Sequence, residues 1–99
     1  MQGNIDDVTV ENNEAAQRFE VKVGNQLAVV EYRRAGNNII FTHTGVPPAL
    51  EGQGIASKLA RSALEYAQQQ QLTVFPFCPF VASYIRRHPE YQGLVRSDS

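Results

Sequence analysis

The chain reads as an α/β domain: an antiparallel β-meander, a glycine-started helix, a strand paired in parallel, and a short C-terminal helix. Three observations predict it. Residues 18–44 alternate apolar and polar side chains between short turns. Residues 53–70 repeat apolar positions at helical spacing. The most apolar segment, LTVFPFC at 72–78, follows that helix, and strand–helix–strand implies a right-handed parallel crossover.

The N-terminal segment, residues 1–15, carries Asp6, Asp7, Glu11 and Glu14 with little to bury, and is expected to be flexible. Residues 16–99 form the single domain. In the first strand, 18–23, Phe19, Val21 and Val23 share one face and Glu20 and Lys22 the other. Gly24-Asn25 turns the chain into a second strand, 27–33, rich in β-formers. Ala35-Gly36-Asn37-Asn38 turns it again into a third, 39–44. Strict alternation there puts Ile39, Phe41 and His43 on one face, with Ile40, Thr42 and Thr44 on the other.

The helix over 53–70 sets Ile55, Leu59, Ala63, Leu64 and Ala67 on one stripe, opposite Arg61, Glu65 and Gln68. In the strand that follows, Pro76 cannot donate to a ladder and requires an edge or a bulge. Pro79 ends that strand. A short helix over 80–88 turns Val81, Tyr84 and Ile85 inward and stops at His88-Pro89. Residues 91–95 are expected to dock as a tail.

Composition narrows the partners. At 99 residues, 42% hydrophobic and 19% charged, the chain has the make-up of a soluble globular domain. A net charge of −1 supplies no basic field for nucleic acid. One cysteine and two histidines offer neither an intramolecular disulfide nor zinc-ligand spacing, so no metal is expected. The polar, acidic N-terminus does not read as a signal peptide, and no apolar run is long enough to span a membrane. The expected location is cytoplasmic.

Functional signal concentrates between His43 and Leu64, HTGVPPALEGQGIASKLARSAL. The turn Glu51-Gly52-Gln53-Gly54 opens into the helix, aiming unpaired backbone N–H groups and the positive end of the helix dipole at one spot. That arrangement suits a phosphate or pyrophosphate. Ser57 stands where a dinucleotide fingerprint needs its third glycine, and Lys58 lies inside the helix and not in a Walker loop. A lone G-x-G is also compatible with a plain helix start.

Cys78 ends a buried strand just before a helix, where N–H groups can activate a thiol as nucleophile; an inert buried cysteine fits the same position. His43 can serve as a base near neutral pH or be a locally bonded histidine. His88 suits the negative end of the last helix and is structural. Tyr84 can give a proton to a departing thiolate or pack in the core. Arg86 and Arg87, with Arg96 further off, form a small basic patch of the kind usually solvated.

Together these pieces resemble the GNAT superfamily of acyl-CoA-dependent N-acetyltransferases, and within it a short one-domain branch often called YjdJ-type. The resemblance spans residues 18–95. It is carried by His43-Thr44, Val46-Pro47-Pro48, EGQGIASKL at 51–59, and PFCPFV with YIRRHPEY at 76–91. It implies a minimal GNAT-like fold in which acyl-CoA lies where the fourth strand splays from the fifth. Backbone around Thr44 and Val46 then pairs with the pantetheine arm, and the N–H groups of Gly52, Gln53, Gly54, Ile55, Ala56 and Ser57 hold the pyrophosphate. It further implies acetyl transfer from acetyl-CoA to an amine, a small molecule or a protein lysine. Cys78 takes the acetyl group in transit, or the amine attacks the thioester directly with Tyr84 or water protonating the thiolate.

Two positions depart from the pattern. Glu51 stands where the wider superfamily has Arg or Gln, and Gly45 where the short branch commonly has an acid. Gly45 shifts the role of base to His43 or Cys78, or leaves a coenzyme A-binding module with weak transfer. The N-terminal helices that usually build an acceptor site are missing from the pattern, which implies an open cleft.

Overall fold

The computed structural model describes residues 8–95. Five strands follow one another across the sheet in chain order: β1 (Glu11–Asn13), β2 (Arg18–Val23), β3 (Gln26–Ala35), β4 (Asn38–Gly45) and β5 (Thr73–Pro76). The first four are antiparallel neighbours, and β5 pairs parallel to β4. Helix α1 (Ile55–Gln69) makes the crossover between them, and α2 (Pro79–Arg87) follows β5. The expected meander, crossover and closing helix are all present, as an α/β fold.

Residues 1–7 of the segment expected to be flexible lie outside the described residues. Within it, Glu11–Asn13 pair with Arg18–Glu20 as an edge strand. Tyr32 explains this pairing: its hydroxyl donates to Asn12 Oδ1 at 2.6 Å, tying the edge to a buried ring of β3. A polar segment gains order there from a long-range partner, which composition does not reveal.

One face of the sheet buries Phe19, Val21, Ala28, Val30, Tyr32, Ile39, Phe41 and Val74 against both helices. From α1 come Ile55, Leu59, Ala60, Ala63, Leu64 and Ala67, and from α2 Val81, Tyr84 and Ile85. Fully burying one such leucine or isoleucine contributes about 1.5–3 kcal/mol. The other face carries half-buried Leu27, Val29, Ile40 and Phe75, and no helix of the described residues covers it.

Helix ends follow local chemistry. Gly54, at φ 79°, is the N-cap of α1 and begins a helix after a left-handed step that glycine adopts freely. At the other end Gln71 takes φ 58°, and Leu72 N–H returns to Ala67 O at 2.9 Å while its side chain is buried. Pro79 occupies the first turn of α2, where its missing N–H costs nothing. The C-terminal stretch docks as a 3-10 helix, Pro89–Leu94, with Tyr91 buried.

The alternation expected along the third strand of the meander is corrected. Tyr32 pairs with Phe41 but Glu31 pairs with His43, so Thr42 is an extra residue forming a β-bulge. A bulge shifts the two-residue period by one. Ile39 and Phe41 therefore share the helix-covered face with Thr44, and His43 turns to the outer face.

Candidate active site

Two glycines set the loop before α1. Gly52, at φ 81°, and Gly54, at φ 79°, both lie in the left-handed region. They turn the chain out of the 3-10 helix Pro48–Leu50 so that α1 starts pointing at a shallow cleft. The cleft, of about 140 Å³, is lined by Val46, Leu50, Glu51, Gly52, Gly54, Ile55, Ala56 and Ser57. The first backbone bond of α1 runs from Lys58 N–H to Gly54 O at 3.1 Å. The N–H groups of Ile55, Ala56 and Ser57 therefore precede the ladder and have no intrahelical acceptor. No acidic side chain sits in this first turn, where Asp or Glu is ordinarily favoured. Three N–H donors and a positive dipole end, with no acid in the helix's own first turn, fit a phosphate group, while Glu51 stands on the rim of the cleft.

Of the residues expected at this cleft, Val46, Gly52, Gly54, Ile55, Ala56 and Ser57 line it. Gln53 turns its side chain back, donating from Nε2 to Ala49 O at 3.3 Å. Leu50 and Glu51 line the cleft as well. The signal for Leu50 lay in its place as the one large apolar residue between Pro48 and Gly52.

From the cleft the free edge of β4 leads inward. Pairing with β5 ends at Phe41–Pro76, and Cys78 N–H adds one last bond to Phe41 O at 2.9 Å. Pro76 explains the early end, since it closes β5 and Phe77 turns back on Phe75 O at 3.1 Å. Beyond that point, among the described residues, the edge of β4 facing away from β3 has no strand beside it, from Thr42 to Gly45.

Cys78 stands at the head of this gap. It is the N-cap of α2, only 2% exposed, and its Sγ lies 3.0 Å from Thr44 Oγ1. The bulge at Thr42 creates that contact by bringing Thr44 to the inner face. Thr44 does not line the glycine cleft. Its observed partner is the thiol, a pairing that periodicity alone could not foresee.

His43 is exposed on the outer face, beside Glu31 at the same register. Tyr84 is not brought to Cys78. Six residues along a helix turn about 240°, and Tyr84 instead stacks on His88 at 3.9 Å between ring centroids, with Tyr91 6.2 Å away. These rings line a separate polar cavity of about 460 Å³ with Arg61, Glu65, Gln68 and Glu90. Burial raises the Tyr84 phenol above its ordinary value, as it does that of Tyr91. His88 Nδ1 lies 2.8 Å from Tyr84 O; a carbonyl only accepts, so Nδ1 carries the proton.

A profile of the GCN5-related N-acetyltransferases matches residues 18–94. The chain belongs to this family. Protein NATD1 from mouse is 32% identical over 92 residues, covering 90% of this chain and 84% of that protein. Protein NATD1 from human is likewise 32% identical, over 90% of this chain and 81% of its own length. The solution NMR structure of a GCN5-like protein from Staphylococcus aureus superposes with a TM-score of 0.70 at 28% identity, covering 92% of this chain and 90% of that one. Members of the family generally use acetyl-CoA.

Proposed function

We propose that the protein transfers an acetyl group from acetyl-CoA to an amine, small or lysine-borne, with the acetyl passing through Cys78. One observation carries this: the free edge of β4 joins the two halves of the site. Thr44 touches the Cys78 sulfur, and Val46, two residues and about 7 Å further along an extended strand, lines the glycine cleft. A pantetheine arm laid along that edge takes backbone bonds from residues 44–46. Its pyrophosphate then meets the N–H groups from Gly52 to Ser57, and its thioester reaches Cys78.

In the first step Cys78 Sγ bonds to the acetyl carbon, the bond from that carbon to the coenzyme A sulfur breaks, and the thiol proton ends on the departing sulfur. In the second step the amine nitrogen bonds to the acetyl carbon and frees the Cys78 thiol. His43 is the group available to take the amine's proton. Tyr84, six residues beyond Cys78 and packed with His88 and Tyr91, is left to hold α2. The proposed setting is the cytoplasm, where a lone thiol stays reduced.

A second reading, coenzyme A binding without efficient transfer, is favoured by the burial of the thiol at 2% exposure. A thermal melt with acetyl-CoA, followed by intact mass, separates the two. Ligand at about 100 times its Kd adds about 2.7 kcal/mol, on the order of 10 °C for a domain of this size. Transfer through Cys78 adds one acetyl mass that Cys78→Ala abolishes. A shift without added mass and without turnover supports binding alone, and no shift refutes the cleft as a coenzyme A site.

A further inference from the structure

The bulge at Thr42 sorts neighbouring residues of β4 onto opposite sides of the sheet. Thr44 goes inward to Cys78, while His43 and Gly45 face the uncovered outer side. Gly45 pairs with Val29 and has no left-handed backbone, so its lack of a side chain is not a conformational need. The need is space. A Cβ at position 45 would stand 3.2 Å from His43 Nε2 and 3.8 Å from Val29 Cγ2. The imidazole of His43 therefore lies along β4 over residue 45, on ground that a side chain there would claim. This is also the stretch where β4 has lost β5, so an amine beside Nε2 on the outer face meets the open edge of β4, with the Cys78 sulfur on the inner side of that edge.

We infer that the acceptor amine enters over the outer face and that Gly45 is a positioning residue, which holds open the place from which His43 Nε2 deprotonates it. The inference rests on acyl transfer at this site. An alkyl ammonium gives one proton to Nε2, and its lone pair attacks the thioester carbonyl. The carbon–nitrogen bond forms, the carbon–sulfur bond breaks, and the second nitrogen proton leaves with the sulfur as a thiol. His43, exposed, returns its proton to solvent.

The surroundings suit a cationic acceptor. Glu31 of β3 lies across from His43, and Arg18 of β2 lies across from Glu31. Arg18 is already engaged by Glu20, so Glu31 is the carboxylate across from His43, with Arg33 the next residue of β3 on the same face. From the β5 side the nearest segment is Pro76-Phe77, which carries no titratable group, and Phe77 is 73% exposed. The same uncovered face admits an amine mounted on a large carrier.

The test is acetyl transfer to poly-L-lysine and to n-butylamine, followed as coenzyme A release across pH. Acetyl-CoA affinity is measured in parallel by thermal shift. Gly45→Ala crowds Nε2 by a few tenths of an ångström and is expected to lower kcat a few-fold. Gly45→Val, which pushes the ring further, is expected to lower it about tenfold to a hundredfold. His43→Ala is expected to lose about a hundredfold or more. His43→Ala keeps the KM for acetyl-CoA, and the Gly45 variants, which lie in the stretch assigned to the pantetheine arm, are compared by kcat at saturating acetyl-CoA. The double variant His43→Ala with Gly45→Glu places a carboxylate over the same ground. It is expected to regain activity with its acid limb moved to lower pH, because carboxylates ordinarily titrate about two units below imidazoles.

Wild-type rates in Gly45→Val, or an unchanged pH profile in His43→Ala, overturn the inference while leaving acyl transfer in place. A wild-type protein that binds acetyl-CoA yet acetylates neither probe overturns acyl transfer itself, and this inference with it.

Discussion

Ser57→Asp puts the glycine cleft to a test in which two effects carry opposite signs. Ser57 is exposed at the third position of α1, and the first turn holds no acidic residue. An aspartate there complements the helix dipole and stabilises the free protein by about 0.3–1 kcal/mol, a rise of a few degrees in Tm. The same carboxylate stands among the N–H groups assigned to the pyrophosphate. At about 6 Å, one pair of like charges repels by about 0.7 kcal/mol in bulk water and about 2.8 kcal/mol at an effective dielectric near 20. Affinity for acetyl-CoA should fall about 3- to 100-fold. Differential scanning fluorimetry on free protein and isothermal titration with acetyl-CoA read the two quantities separately. The loss in affinity should shrink in about 1 M salt, where the Debye length is about 3 Å. Ser57→Asn, uncharged, should leave both nearly unchanged. If Ser57→Asp binds acetyl-CoA as tightly as the wild type, the anion is not held at this helix start.

Other outcomes follow from the same coordinates. Gly52→Ala meets no atom within 4 Å of the added Cβ, so its cost is the backbone at φ 81° alone. That is about 1–2 kcal/mol in a urea melt, with weaker acetyl-CoA binding as the loop relaxes. Leu64→Ala, at a fully buried position, should lose about 2–5 kcal/mol by the same assay. Thr44→Val keeps the shape beside Cys78 but removes its oxygen partner; it should cost about 0.5–1.5 kcal/mol and slow the gain of acetyl mass on Cys78, while Thr44→Ser restores both.

Stability should also depend on pH at both ends. Arg18, and then Asn13, hold the Glu20 carboxyl below its ordinary value of 4.5 by hydrogen bonding. That contribution is complete above about pH 4.5 and is lost as pH falls through the lowered value. Tyr32, Tyr84 and Tyr91 are raised above 10.0, by burial first in each case. Their contribution is complete below pH 10 and declines as pH rises through the raised values. Urea midpoints measured from pH 3 to 11 should form a plateau that falls on both sides. Glu20→Gln should flatten the acid flank, and an acid flank unchanged in that variant refutes the assignment.

Much of this protein was determined by sequence alone, wherever a short-range rule was enough. Helical spacing marked Ile55, Leu59, Ala63, Leu64 and Ala67, and all five are buried. The pair Gly52 and Gly54 marked the loop, because only glycine takes left-handed φ without strain. Proline marked where α2 begins, but the strand expected over 72–78 and ended by Pro79 stops at Pro76, which leaves Cys78 outside it as the N-cap of α2.

Tertiary structure decided the rest. A single extra residue, Thr42, exchanged the faces of His43 and Thr44; such a slip depends on how β4 registers against β3, and no local pattern records it. The thiol of Cys78 met Thr44, 34 positions earlier in the chain, through that slip. Tyr84 faced away from Cys78 because the turn of α2 carried it to His88 and Tyr91. Asn12 became part of a strand because the buried Tyr32 needed an acceptor for its hydroxyl. The residue types able to do the chemistry were visible in order along the chain, whereas which of them share a side of the sheet was set by long-range pairing.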